Sequence, residues 1–192
     1  MSSLMVSQSG IRGVVGHTFS PELALVMGAS YGAFIGKGPV IVGGDTRTSY
    51  MCMSSAVISG LLSVGTDVIH IGQVPTPTVQ QLINRHKARG GMVITASHNP
   101  VIWNGIKLMN STGSFLTSDE YDQFMSIYQQ KSYTFQKWDA IGGLSNDDTA
   151  LETHIDIILS HIDTSDIKHA NLHVLIDPNH GTGACANPIL LD

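Results

Sequence analysis

Apolar runs at 39–42, 67–71 and 91–95 alternate with helix-length segments at 49–62 and 78–86. Strands and helices of that length bury their apolar faces only when the strands share one sheet and the helices cover it. Another helix is predicted over 22–35, with Ser20 as N-cap and Pro21 at its first position. The four-residue spacing of Gly28, Gly32 and Gly36 predicts close packing of this helix on a sheet. A fourth strand is predicted over 105–109. The link from Ser97 to it is too short for a crossover helix, so this pair is predicted to be antiparallel. A helix capped by Ser118 follows to about 128, with Glu120 as an early-turn carboxylate. The fold class is α/β: a three-layer α/β/α domain with a mixed, mostly parallel four-stranded sheet.

The pattern changes at 136–148, where Gly142-Gly143 and Asn146-Asp147-Asp148 read as a linker. Residues 149–161 predict an amphipathic helix with Leu151, Ile155, Ile158 and Ile162 on one face. A strand is predicted over 171–177 and a loop over 178–183. One strand and two helices cannot bury their own faces. The expected division is a domain over 1–145 and, over 146–192, the start of a second α/β unit that remains incomplete.

Charge limits the ligand classes. The chain of 192 residues carries a formal net charge of −5, and its ten Lys and Arg are scattered without a basic run. That argues against a nucleic-acid partner. An anion site would then be built from a few placed cations. The two cysteines, Cys52 and Cys185, lie in no C-x-x-C, which points away from a disulfide scaffold and a zinc ribbon. No basic-then-apolar leader opens the sequence, and no apolar stretch approaches the roughly 20 residues that span a bilayer. A cytoplasmic setting without membrane association is expected.

The densest chemical signal is Thr95-Ala96-Ser97-His98-Asn99-Pro100, followed by Asn104-Gly105 and Lys107. It offers a hydroxyl, an imidazole, an amide and an ammonium at the C-terminal end of a buried strand, where α/β proteins place ligands. Pro100 keeps Asn99 extended. A hydrolase elbow would need G-x-S-x-G, and Ser97 has no glycine at either outer position. Adjacent Ser97 and His98 side chains also diverge on extended backbone. Phosphoryl transfer, which needs positioning and positive charge, fits better. Trp103 is expected to pack the turn. Gly181-x-Gly183-x-x-Ala186 matches a dinucleotide fingerprint by chance, and the histidines, in no H-E-x-x-H, read as solvated.

Those residues, with Asn104-Gly105-Ile106-Lys107, resemble the phosphoserine loop of the α-D-phosphohexomutases, which include phosphoglucomutases, phosphomannomutases and phosphoglucosamine mutases. Ser9-Gly10-Ile11-Arg12-Gly13 resembles the N-terminal motif of that superfamily with its active-site arginine, and Gly43-Gly44-Asp45-Thr46-Arg47 its strand-end Asp-x-Arg turn. Ile176-Asp177-Pro178-Asn179-His180-Gly181-Thr182-Gly183 is more weakly similar to the loop opening the second domain of the family. The resemblance implies that Ser97 carries the phosphoryl group, passing it to a hexose phosphate through a bisphosphate intermediate. Arg12, Lys107 and Mg²⁺ would balance its charge, with Arg47 either a phosphate ligand or a salt-bridge partner of Asp45. His98 and Lys107 are both candidates for the proton carrier, and Asn99 and Asn104 are candidate substrate contacts. The family's Asp-x-Asp-x-Asp metal loop is missing here, so only the Ser97 phosphoryl oxygen is an expected metal ligand. The implied partners are a phosphorylated hexose, a glucose 1,6-bisphosphate-type activator and the remainder of a longer polypeptide. This chain alone is expected to be inactive. The alternative is a non-catalytic module that binds a phosphosugar or a protein partner.

Overall fold

The computed structural model describes residues 4–170 and 172–192. Its strands are β1 (Met5–Ser7), β2 (Gly10–Val14), β3 (Val40–Gly44), β4 (Val68–Gln73), β5 (Gly90–Ile94), β6 (Trp103–Met109) and β7 (Leu144–Asn146). They form one sheet in the order β1-β2-β6-β5-β3-β4-β7. β3 runs parallel to β4 and β5, and β4 parallel to β7. β6 is antiparallel to β5 and β2, and β2 to β1. The β5–β6 pair therefore has the predicted orientation. The sheet is mixed as expected, but it has seven strands rather than four, and only half its pairings are parallel. The additional strands carry weak local signals. β2 reads Gly-Ile-Arg-Gly-Val, and β7 is three residues inside the predicted linker. Such segments become strands because an existing edge offers unpaired backbone groups.

The predicted strand over 171–177 is absent. Asn171 lies outside the described residues, and 172–178 has no regular structure. Leu175 is 99% exposed and Leu172 66%. An apolar run has no reason to stay extended in a ladder when no edge receives it.

Side-chain alternation builds three layers. Val40 and Val42 of β3, Met92 and Ile94 of β5, and Ile106 and Leu108 of β6 face one cluster. Helices α1 (Pro21–Ile35), α2 (Tyr50–Ser63) and α4 (Ser118–Gln130) cover it. Ile41, Val93 and Met109 face the other way, towards α3 (Thr76–Arg85) and α5 (Ala150–Leu159). Two short helices, α6 (Ser165–His169) and α7 (Gly183–Leu191), follow. Thr78 Oγ1 meets His154 Nδ1 at 2.8 Å, and His86 Nε2 meets Asp147 Oδ2 at 2.7 Å, which ties 147–154 to α3.

Local signals set the helix ends. The Ser20 side chain accepts from Leu23 N, with Pro21 beginning the helix. At α4 the cap is Thr117 and not Ser118: Thr117 and Glu120 form a reciprocal capping box. The α1 glycines serve a helix contact rather than a sheet contact. A Cβ on Gly28 would lie 2.3 Å from the Val57 carbonyl oxygen of α2, and one on Gly60 would lie 2.1 Å from that of Leu25.

Candidate active site

Parallel pairing sets the C-terminal ends of β3 and β5 side by side. Asp45 N donates to Ile94 O (3.0 Å), so the turn after β3 lies against the loop after β5. Gly44 permits this approach, since a Cβ there would sit 2.3 Å from the Ile94 oxygen. The Asp45 carboxylate accepts from Arg47 N (3.1 Å), Arg47 Nε (3.1 Å) and Thr95 Oγ1 (2.7 Å). Thr95 Oγ1 in turn accepts from Ser97 N (3.0 Å). Ser97 is exposed and left-handed, with φ 56°. Its Oγ lies 3.4 Å from His98 Nδ1.

Arg47 reaches across the loop. Its Nη1 donates to the carbonyls of Pro100 (2.8 Å) and Trp103 (3.0 Å), and Nη2 to those of Ser97 (3.0 Å) and Asn99 (2.7 Å). With Nε on Asp45, all five guanidinium N–H groups are in use.

Arg12 comes from β2, where it pairs with Gly105 of β6. A side chain on Gly105 would crowd Arg12 Cγ (3.0 Å). Arg12 Nη1 approaches Asn99 Oδ1 at 3.4 Å. Lys107, two residues along β6, lies on the same face. Burial lowers its pKa from the ordinary value of 10.5, and the Arg12 charge lowers it further while Asp45 opposes both. Its Nζ stands 5.7 Å from the centre of the Phe115 ring. A cleft of about 590 Å³ lies between the Ser97 loop, the turn after β3 and the loop at 178–182. Thr46 Oγ1 donates to His180 O (2.7 Å), which joins that last loop to the turn.

The phosphoglucomutase/phosphomannomutase family, alpha/beta/alpha domain I, matches residues 4–135. The chain belongs to that family. A phosphoglucomutase/phosphomannomutase of Thermococcus kodakarensis is 37% identical over 187 residues, covering 95% of this chain and 41% of the relative. A protein named probable phosphoglucosamine mutase, from Pyrococcus abyssi, is 40% identical over 183 residues, covering 95% and 39%. The chain thus spans about two fifths of the length of these curated relatives. Among solved structures, a phosphoglucomutase/phosphomannomutase family protein of Burkholderia thailandensis superposes with a TM-score of 0.69 at 26% identity, covering 83% of this chain and 37% of the other.

Within this mutase-family domain, the structure gathers Ser97, His98, Asn99 and Arg12 at one strand-end site, with Lys107 on the Arg12 side of the sheet. Two expected ligands have other occupations. Arg47 has no N–H left for a phosphate, and its side chain is 12% exposed. Asn104 is fully buried. Its Nδ2 donates to Ser49 Oγ (2.8 Å) and its Oδ1 accepts from Gly105 N (2.8 Å), which pins β6 to the start of α2. Sequence reasoning gave Thr95 and Thr46 no role of their own. A hydroxyl two residues before Ser97 was the available signal for the first; the partner of the second lies 134 residues away. Among the described residues, no cluster of three or more His, Cys, Asp or Glu could hold a metal. Asp45, the carboxylate nearest Ser97 in this site, has both its oxygens engaged by Arg47 and Thr95. No helix among them is long and apolar enough to cross a membrane.

Proposed function

We propose that the protein to which this chain belongs is a phosphohexomutase that interconverts hexose 1-phosphate and hexose 6-phosphate through phosphoserine at Ser97. The observation that carries this reading is the exposed Ser97 hydroxyl, on a left-handed residue at a strand end, opening onto a cleft that His98 and Asn99 also line, with Arg12 approaching Asn99. In the forward step a sugar hydroxyl oxygen attacks phosphorus, the P–Oγ bond of Ser97 breaks, the sugar hydroxyl proton passes to a base, and a proton is delivered to the departing Ser97 Oγ, which regenerates the serine hydroxyl. The bisphosphate then turns over and returns its other phosphoryl group to Ser97. Phosphoserine carries about −1.5 to −2 charges at neutral pH. Arg12 and Lys107 are the cations assigned to it. The 3.4 Å approach of His98 Nδ1 to Ser97 Oγ supports His98 as the proton carrier, whereas Lys107 stands over Phe115.

The sugar-recognition and remaining Mg²⁺-binding parts of the catalytic apparatus are assigned to the rest of the protein, and this chain by itself is proposed to be inactive. Residues 146–192 are proposed as the start of the second domain, with α5 packed back against α3 of the first. Relatives named phosphoglucomutase/phosphomannomutase and probable phosphoglucosamine mutase support a phosphomannomutase- or phosphoglucosamine mutase-like sugar preference. A cytoplasmic setting completes the proposal.

Incubating the full-length protein with Mg²⁺ and glucose 1,6-bisphosphate tests it by intact-mass and phosphopeptide spectrometry. A gain of about 80 Da, one phosphate, located on Ser97 is expected. A folded full-length protein that takes up no phosphate sinks the mutase reading and promotes the non-catalytic binding module.

A further inference from the structure

We propose that Arg47, Asp45 and Thr95 form a positioning frame for the Ser97 loop, and that Arg47 acts on phosphoryl transfer through that loop and not through a phosphate. This deepens the phosphoserine reading above and rests on it. The geometry accounts for every Arg47 donor: one on Asp45 and four on the carbonyls of Ser97, Asn99, Pro100 and Trp103. A guanidinium so saturated and so buried has nothing to offer a ligand.

The frame constrains Ser97 from both sides of its Cα. Its carbonyl is held by Arg47, and its N–H by Thr95 Oγ1, which is itself held by Asp45. Left-handed φ is unfavourable for serine, so these bonds are what keep the Oγ in one place. Collecting four carbonyl oxygens on one cation also compensates their partial negative charge beside a residue that is to carry a dianion. A reacting atom misplaced by about 1 Å costs about 100-fold in rate. Lysine keeps the charge but is a point donor without the planar fork.

The test uses the full-length protein and three variants. In Arg47→Lys, kcat and the rate of Ser97 phosphorylation by glucose 1,6-bisphosphate should fall about 100-fold, while KM for the hexose phosphate changes less than about threefold. In Arg47→Ala, added guanidinium should restore part of that rate. Thr95→Val, nearly isosteric, removes only the hydroxyl between Asp45 and Ser97 N and should reproduce the kcat loss at unchanged KM. If the Arg47 variants fail to fold, Thr95→Val decides. Wild-type rates in both Arg47→Lys and Thr95→Val overturn the frame. So does a raised KM with kcat retained in Arg47→Lys, the signature of a phosphate ligand. A wild-type protein that takes no phosphate overturns the phosphoserine reading itself, and the frame with it.

Discussion

Ser97 has φ 56°, a region that costs a residue with a Cβ about 1–2 kcal/mol. Glycine escapes that cost at the expense of more backbone entropy in the unfolded chain. The side chain itself is exposed, so its removal forfeits little packing. Ser97→Gly is therefore expected to be more stable than Ser97→Ala by about 1 kcal/mol, and neither variant takes up phosphate. Urea titration of the two variants measures the difference; equal midpoints would mean that the backbone there is unstrained. Stability surrendered at a reacting residue is a common feature of functional sites. Under the proposed phosphoserine reading, the Ser97 hydroxyl is what a glycine at this position would lack. Asn104 shows the opposite case. In sequence it resembles a substrate contact, yet its burial and its bond to Ser49 make it part of the scaffold.

At the scale of elements, the α1–α2 contact depends on two missing side chains. Gly to Ala inside an exposed helix normally stabilises by about 1 kcal/mol. Gly60 sits with its Cα against the Leu25 carbonyl, where a Cβ would lie 2.1 Å from oxygen and 2.8 Å from Ala29 N. Backbone cannot swing aside as a flexible side chain would. Gly60→Ala is thus expected to destabilise by about 1–3 kcal/mol, with the denaturant slope unchanged. A stabilised Gly60→Ala protein would show that the helices can part at no cost. The glycine spacing at 28, 32 and 36 was visible in sequence, but not which surface it would meet. Gly28 meets α2, Gly32 meets Val64 and Thr66, and Gly36 meets nothing within 4 Å. Strand content divides in the same way. β3, β4 and β5 carry their own apolar runs and were legible, whereas β1, β2 and β7 are short segments made into strands by their neighbours.

On the scale of the whole molecule, the far end of the chain comes back to the Ser97 cleft. The 178–182 loop lines it, and among the described residues the Thr46–His180 hydrogen bond ties that loop to the turn after β3. Thr46→Val keeps the shape and removes the donor. Amide hydrogen exchange at 179–184 should then accelerate, with β5 and β6 unaffected. Unchanged exchange would mean that the loop is held by the neighbours of α7 alone. Exposed Leu172, Val174 and Leu175 lie just before this loop. No edge of the sheet among the described residues receives them, which is the physical reason the predicted strand does not form.

The sequence by itself determined the family and much of the local geometry. It determined the hydroxyl and imidazole of the Ser97 loop, the Asp45-x-Arg47 turn, the α1 cap and the antiparallel return of β6, because each depends on residues close in the chain. Tertiary structure alone decided that Arg47 spends its donors on the Ser97 loop and that Asn104 is buried. It alone decided that Arg12 reaches Asn99 across Gly105, and that His180 meets Thr46. Those outcomes depend on which surfaces face each other across 50 residues or more. A donor's partner is selected by that packing, and residue type says only that a partner is needed.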